Sequence, residues 1–380
     1  MRDGDMALKR RVWVEIDLGK LRRNFAKIAA RVAPCKVLAV MKANAYGLGV
    51  ARYAEALGDA EIFGVAEPYE ALQLMAAMRE GKIPEKPVQM LSAVLPDEID
   101  EMVAAGVTLP VIDTATVWAI AEAARRHGVR AKCHLKIDSG MGRLGVPLAD
   151  AGCVLQELAR AGDAVDAEGI FTHLPMAYEP LDPFTARQID DFANLVHRLE
   201  ERGARFKYRH IAASDAINNF PQTFREPFNL VRTGINLHGS FDPNGRRELE
   251  LESVLALKTR IAQVRTLPPG VTLGYGRTWC LNKEAKIATI SAGYADGLPL
   301  ALSNRGYVIV RGCVCPIVGR ISMDYTTVDV SGVEGEVSAG DEVTCLGGEI
   351  TPDAWARLKG THAYDIICSL GNRVERIFVD

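Results

Sequence analysis

The chain has 380 residues, of which 48% are apolar and 24% are charged, and its net charge is −3. This length exceeds what one hydrophobic core usually fills, so we expect one large and one smaller domain. The near-neutral charge gives no basic field for nucleic acid, and no apolar run reaches membrane-spanning length. We therefore expect neither a nucleic-acid partner nor a membrane partner.

Eight cysteines are scattered along the chain without a CxxC pair, and no HExxH motif occurs. This spacing disfavours a zinc site, so no metal is predicted. Residues 1–5 include two acids and lack the apolar stretch of a signal peptide. Together with unpaired thiols, this start favours a cytoplasmic location.

The first element in chain order is a helix that begins after Asp17, a residue type that caps helices well. Its apolar residues recur at helical spacing, and they are Leu18, Leu21, Phe25, Ile28 and Val32. Short apolar runs then recur, near residues 36–41, 62–66, 88–92, 108–112, 132–137, 167–172, 208–212 and 229–235. Most of the gaps show helical patterns, clearest over residues 114–127 and 184–202.

This alternation is typical of a parallel sheet with helices outside it. Eight repeats within about 230 residues predict an α/β fold of the (β/α)8 TIM-barrel type. A doubly wound sheet is the alternative.

A second region begins after a turn-rich segment that contains Pro243 and Gly245. Glycines punctuate β-branched runs there, which predicts a mainly β domain. Its clearest strands are expected over residues 286–290, 307–310, 326–330 and 342–345. The expected domains are therefore residues 14–242 for the barrel and 243–380 for the β domain, and residues 1–13 are candidates to join the latter.

Ionisable and polar residues follow the ends of several predicted strands. They are Lys42, Lys136, Asp138, His173, Ser214 and Arg232. Each one alone is more often an ordinary surface or core residue. Because barrel enzymes carry their active sites at the carboxyl ends of the strands, the set together indicates a catalytic site.

The stretch GMGRLG, residues 140–145, fits the GxGxxG pattern of a dinucleotide-binding loop. That pattern normally follows the first strand of its fold, whereas this one follows the fifth. A glycine-rich turn is the commoner explanation, so a nicotinamide cofactor is disfavoured.

Lys42 suggests different chemistry, because lysine is the side chain that forms a Schiff base with an aldehyde cofactor. Pyridoxal 5'-phosphate would also need a site for its phosphate dianion. Backbone N–H groups near Gly234 and Ile235, with hydroxyls of Tyr46 and Ser214, could provide one.

Eight motifs, in order, now carry a family resemblance. They are VMKANAYGLG, HLKIDSGMGRLG, GIFTH, VRTGINLHG, GYGRT, ISAGYADG, VGRISMD and YDIICSLGNRVER. Together they resemble alanine racemase, and the similarity spans about residues 15–376. The resemblance implies an isomerase that uses pyridoxal phosphate on a barrel, acts on alanine, supplies D-alanine for peptidoglycan and works as a homodimer with shared active sites.

The resemblance also implies roles for individual residues. Lys42 would hold the cofactor and act as the base for D-alanine, while Tyr275 would be the opposite base, reaching in from the partner chain. His173 would lie against the cofactor and orient Tyr275. The phosphate would contact Tyr46, Ser214, Gly234, Ile235 and Tyr364.

Arg143 and the Met323 N–H would bind the substrate carboxylate, with Tyr294 and Asp296 in the access channel. Lys136 matches a lysine that carries a carbamate in some members. Arg232 would contact the pyridine nitrogen and, because arginine cannot accept a proton, leave it unprotonated.

Two other functions are kept as alternatives. One is a racemase for serine or another small amino acid. The other is a non-catalytic pyridoxal-phosphate carrier with the same barrel, which the second domain with Tyr275 and Met323 disfavours.

Overall fold

The computed structural model describes residues 10–380, which divide into two compact units. The barrel unit comprises Leu21–Glu252, and the β unit comprises Ser253–Asp380 with the described residues up to Lys20. Of the N-terminal segment considered for the β domain, residues 1–9 lie outside the described part, and the strand Val12–Asp17 belongs to the β unit.

Eight parallel strands form the barrel, and each overlaps a predicted apolar run, while the two-residue strand Val146–Pro147 pairs with the end of the fifth. They are Lys36–Val40, Ile62–Val65, Val88–Met90, Leu109–Val111, Ala131–Asp138, Val165–Phe171, Tyr208–His210 and Leu230–Thr233. They form two parallel sheets that join at both edges. Gln89 and Thr108 form a parallel bridge at one junction, and the Arg232 N–H donates to Ala212 O (3.0 Å) at the other. The sheet is therefore closed, which confirms the predicted barrel and excludes the doubly wound alternative.

The first helix precedes the barrel strands, and each of the other seven follows one strand. They are Leu18–Val32, Val50–Ala56, Pro68–Arg79, Ile99–Ala105, Thr114–His127, Ala151–Ala161, Pro183–Glu201 and Ser214–Asn219. The Asp17 carboxylate accepts the Lys20 N–H (2.7 Å), so the predicted cap of the first helix is confirmed. Asp113 caps Thr114–His127 in the same way through the Thr116 N–H (2.7 Å). No helix within residues 10–380 combines the length and apolar character required to cross a bilayer.

The β unit is organised around the long strand Leu255–Leu267. Its other strands are Val12–Asp17, Thr272–Leu273, Trp279–Cys280, Ala285–Ile290, Tyr307–Val310, Cys313–Pro316, Thr326–Asp329, Glu342–Leu346 and Glu375–Val379. Two helices, Pro352–Lys359 and Ala363–Cys368, complete it. The long strand pairs antiparallel with Val12–Asp17, Ala285–Ile290 and Glu342–Leu346. All four predicted strands of this region are present, but the long strand was not predicted.

Three histidines are buried in the barrel unit and held in their neutral form. Burial lowers the pKa of His134, and burial with the nearby Arg232 charge holds the pKa of His210 well below its usual range. Burial lowers the pKa of His238 to about 3, and its Nδ1 lies 3.0 Å from the Tyr53 hydroxyl. Below pH 6.5 the unfolded chain therefore binds protons that the folded chain does not.

We predict that the stability of the protein falls as the pH falls below about 6.5. Each of these histidines can contribute up to about 1.4 kcal/mol per pH unit. Asp215 acts in the opposite direction, because burial and then the nearby Asp242 charge raise its pKa to about 6. His238→Gln keeps an acceptor for Tyr53 and should flatten the dependence of the unfolding midpoint on pH, measured between pH 7.5 and 5. His197→Gln, at an exposed position, is the control. Identical profiles for wild type and His238→Gln would contradict this prediction.

Candidate active site

Lys42 lies on a backbone turn of opposite hand to an ordinary helix. Ala43, Asn44, Ala45 and Tyr46 all have φ between 52° and 59°, in the left-handed region. The turn begins at Met41, whose N–H donates to Gly64 O (2.8 Å) in the second barrel strand. Left-handed helical backbone costs roughly 1–2 kcal/mol per non-glycine residue, so four such residues in succession indicate a functional constraint. The turn directly follows the first barrel strand and places Lys42 at the barrel rim.

Hydroxyl and backbone donors meet beside this turn. The Gly234 N–H donates to Ser214 Oγ (3.1 Å), where Ser214 opens a short helix after the seventh strand. A Cβ atom at Gly234 would lie 2.1 Å from the Tyr46 hydroxyl, so only glycine allows this approach. The fully buried Ile235 follows and starts a 3-10 turn. The predicted group Tyr46, Ser214, Gly234 and Ile235 thus includes the type of donor set that holds a phosphate.

Arg232 is buried and fixed by several acceptors. Its Nη1 donates to His210 Nδ1 (2.9 Å), and its Nη2 donates to Thr172 O (2.8 Å) and Ile211 O (3.1 Å). His173 Nδ1 lies 3.4 Å from the same Nη2. Burial lowers the pKa of Arg232 to about 9, so the guanidinium remains charged at neutral pH. The side chain is therefore a rigid cation at the end of the eighth strand.

The contacts of Arg232 determine the tautomers of two histidines. Because arginine only donates, His210 must accept at Nδ1 and carry its proton on Nε2. His210 Nε2 lies 3.0 Å from His134 Nδ1, which must then accept in turn. The remaining His134 nitrogen faces Glu168 Oε1 at 3.7 Å, beyond hydrogen-bond distance. Along this chain from Arg232 to His134, each N–H points away from the rim. Arg232 therefore acts only as a donor.

Positive charge and burial also act on Lys136 and His173. Lys136 is 5% exposed and its Nζ lies 4.3 Å from the Phe171 ring centroid. Burial, followed by the charges of Arg232 and Arg143, lowers the pKa of Lys136 to about 7. Burial and then Arg232 hold the pKa of His173 well below its usual range, so this imidazole is neutral.

Asp138 organises the glycine-rich loop that carries Arg143. Its carboxylate accepts the backbone N–H groups of Gly140 (2.9 Å), Gly142 (3.1 Å) and Arg143 (3.1 Å). These three N–H groups point inward to a carboxylate, whereas a dinucleotide loop would direct them to a pyrophosphate. The loop is therefore a glycine-rich turn closed on Asp138.

The remaining predicted residues belong to the β unit. Tyr275 is 72% exposed, Met323 is 52% exposed and Tyr294 is 46% exposed. A cavity of about 360 Å³ is lined by Gly274, Tyr275, Arg320, Ser322, Tyr325, Thr326 and Thr327. The ring of Tyr364 lies edge-on to His362, with 5.6 Å between the ring centroids.

Asp296 is 2% exposed and stabilises the turn that carries Tyr294. It accepts the Gly293 N–H (3.0 Å) and a two-point contact from Arg373 (2.8 and 3.0 Å). The Ala295 N–H donates to Met323 O (3.1 Å), so this turn also fixes the Met323 loop. Asp296 therefore supports both exposed residues.

Two residues at this rim, His210 and Glu70, were not predicted from the sequence. His210 ends the seventh strand, and its position within an apolar run could have indicated an inward-facing side chain. Glu70 bonds the left-handed turn through the Asn44 N–H (2.9 Å). No sequence signal marks Glu70, because Pro68 and Glu70 together match the pattern of an ordinary helix start.

Comparisons with known proteins agree with this geometry. The chain matches the family model described as "Alanine racemase, N-terminal domain" over residues 16–242 and that described as "Alanine racemase, C-terminal domain" over residues 254–378. An alanine racemase from Cutibacterium acnes is 39% identical over 378 residues, covering 96% of each chain.

Two solved structures illustrate the likeness in three dimensions. The alanine racemase from Streptomyces coelicolor A3(2) has a TM-score of 0.90 and 34% identity, covering 97% of this chain and 98% of that one. The alanine racemase from Bartonella henselae with covalently bound pyridoxal phosphate has a TM-score of 0.86 and 27% identity, covering 98% and 100%. Since both domains match over nearly their whole length, the chain belongs to the alanine racemase family of isomerases.

Proposed function

We propose that the protein is a pyridoxal-phosphate-dependent racemase that interconverts L-alanine and D-alanine by a two-base mechanism. The observation that carries this proposal is the position of Lys42 on a strained turn beside the donors Tyr46, Ser214 and Gly234. The expected role is the supply of D-alanine for cell-wall peptidoglycan in the cytoplasm.

The residues at the rim fit pyridoxal phosphate. The hydroxyls of Tyr46 and Ser214 and the backbone at Gly234 and Ile235 suit a phosphate dianion, and Tyr364 is expected to add a further donor. Arg232 presents only N–H groups, so it suits an unprotonated pyridine nitrogen. When bound, the cofactor supplies an aldehyde for the substrate amine and withdraws electrons from the substrate Cα.

The two bases work on opposite faces of the substrate Cα. Lys42 Nζ takes the Cα proton of D-alanine, and the phenolic oxygen of Tyr275 delivers a proton from the other face. The reverse sequence converts L-alanine. His173 is neutral and its Nδ1 faces the Arg232 donor, so its Nε2–H donates to the Tyr275 oxygen and orients it. Lys42 belongs to the barrel unit and Tyr275 to the β unit, and we propose that Tyr275 comes from the partner subunit of a homodimer.

Other residues bind and admit the substrate. The cationic Arg143 and the N–H of Met323 bind the alanine carboxylate. Tyr294 lies along the access channel, and Asp296 holds it there through the Gly293 turn. The exposure of Tyr275 and Met323 supports a role for both at a surface that meets a second copy of the chain.

The purified protein should racemise L-alanine, and Lys42 should hold the cofactor. A coupled D-alanine assay with and without added pyridoxal phosphate measures the activity. Borohydride reduction followed by peptide mapping should place the cofactor mass on the peptide that contains Lys42. Lys42→Ala should lose both the label and the activity. A label on any other peptide, or no D-alanine formed by fully loaded protein, would refute the proposal.

Lys136 should form a carbamate with CO₂. A neutral amine attacks CO₂ and loses a proton, and a lysine with a pKa of about 7 is largely neutral above that pH. The product is an anion that can pair with the neighbouring Arg143 and remove the repulsion between the two cations. With ¹³C-bicarbonate at pH 8, wild type should show a carbamate signal that weakens below pH 7 and is absent in Lys136→Arg. A persistent signal in Lys136→Arg, or none in wild type, would contradict this.

A further inference from the structure

The left-handed turn at Lys42 needs an external support. Four consecutive non-glycine residues there lie in a region that L side chains adopt only at a steric cost. Bonds within the turn offset part of this, since the Ala45 N–H donates to Met41 O (2.8 Å) and the Val50 N–H donates to Asn44 Oδ1 (2.9 Å). Backbone of this kind persists where surrounding structure over-determines it.

Glu70 connects the turn to a different part of the barrel. The side chain is only 9% exposed. Its Oε1 accepts the Asn44 N–H (2.9 Å), in the middle of the turn, and its Oε2 accepts the Ala66 N–H (3.1 Å), just beyond the second barrel strand. One carboxylate thus fixes the turn to the end of the neighbouring strand.

Glu70 lies in the first turn of a helix. It is the third residue of the helix Pro68–Arg79, where the helix dipole stabilises negative charge. Glu67 caps the same helix by accepting the Glu70 N–H (3.3 Å). A carboxylate is acceptor-only, so both oxygens can receive an N–H. Glutamine would direct its own NH₂ at one of the two donors.

We propose that Glu70 is a positioning residue that holds the turn from Lys42 to Tyr46 in its left-handed form. It thereby sets the Lys42 amine and the Tyr46 hydroxyl for the cofactor. This inference rests on the proposed function for the roles of those two residues. It assigns Glu70 no contact with substrate or cofactor.

Glu70→Gln tests the proposal, with Glu67→Gln as its matched control on the same helix end. A hydrogen bond to a charged group contributes about 1.5–3 kcal/mol, so Glu70→Gln should weaken pyridoxal-phosphate binding roughly tenfold or more. The dissociation constant is measured by titrating full-length protein freed of cofactor. Glu67→Gln should change it less than about twofold, because Glu67 contacts the helix and not the turn.

Hydrogen exchange gives a readout that does not depend on the cofactor. The Asn44 amide should exchange faster in Glu70→Gln than in wild type or Glu67→Gln, because it loses its charged acceptor. Ala43→Gly supplies the rescue. Ala43 is exposed with φ 53°, a conformation that glycine adopts without steric cost. Glu70→Gln/Ala43→Gly should therefore recover much of the lost affinity.

The outcomes distinguish a failure of the role proposed for Glu70 from a failure of the proposed racemase function. Absence of label on Lys42 in wild type would defeat the proposed function, whatever the exchange data show. With Lys42 labelled, unchanged affinity in Glu70→Gln would overturn the role of Glu70. So would an equal loss in Glu67→Gln, or a loss that Ala43→Gly does not relieve, since either would indicate general damage to the helix.

Discussion

A concentration of positive charge at the carboxyl end of the barrel, in which Lys136 and Arg232 are buried, is the constraint on which the site depends. Four cationic side chains belong to it: Lys42, Lys136, Arg143 and Arg232. Burial and this shared charge lower the pKa of Lys136 and keep His173 neutral. Such a cluster gains stability from anions, so a phosphate dianion and a substrate carboxylate suit it. The same charge lowers the protonated fraction of Lys136 at neutral pH, while Arg232 remains a fixed cation.

Two carboxylates arrange the backbone around this charge. Asp138 collects three N–H groups of the loop that carries Arg143, and Glu70 fixes the turn that carries Lys42. In both cases the carboxylate oxygens accept backbone N–H groups. These hydrogen bonds fix the loop that carries a cationic side chain. The strain of the left-handed turn is thus offset by contacts from the neighbouring strand and helix. Preorganised loops of this kind keep charged groups in place before a ligand binds.

Much of this arrangement could be predicted from the sequence, because it follows from local patterns. Short apolar runs gave the barrel strands, and strand-end residues such as Lys42 and Arg232 indicated the rim. The left-handed turn could not be predicted, since its two alanines favour an ordinary helix. The strand Leu255–Leu267 was missed because its lysine, arginines and glutamine weaken the β pattern, and its pairing with three neighbours decides its conformation.

The most direct test of the account is complementation between Lys42→Ala and Tyr275→Ala. Each homodimer lacks one base at both sites and should be nearly inactive. In a mixed dimer, a shared site would combine Lys42 of one chain with Tyr275 of the other, and one of the two sites would be intact. Co-refolding equal amounts should therefore restore roughly a quarter of wild-type activity, since half of randomly paired dimers are mixed. No recovery, with mixed dimers shown to form, would contradict the account.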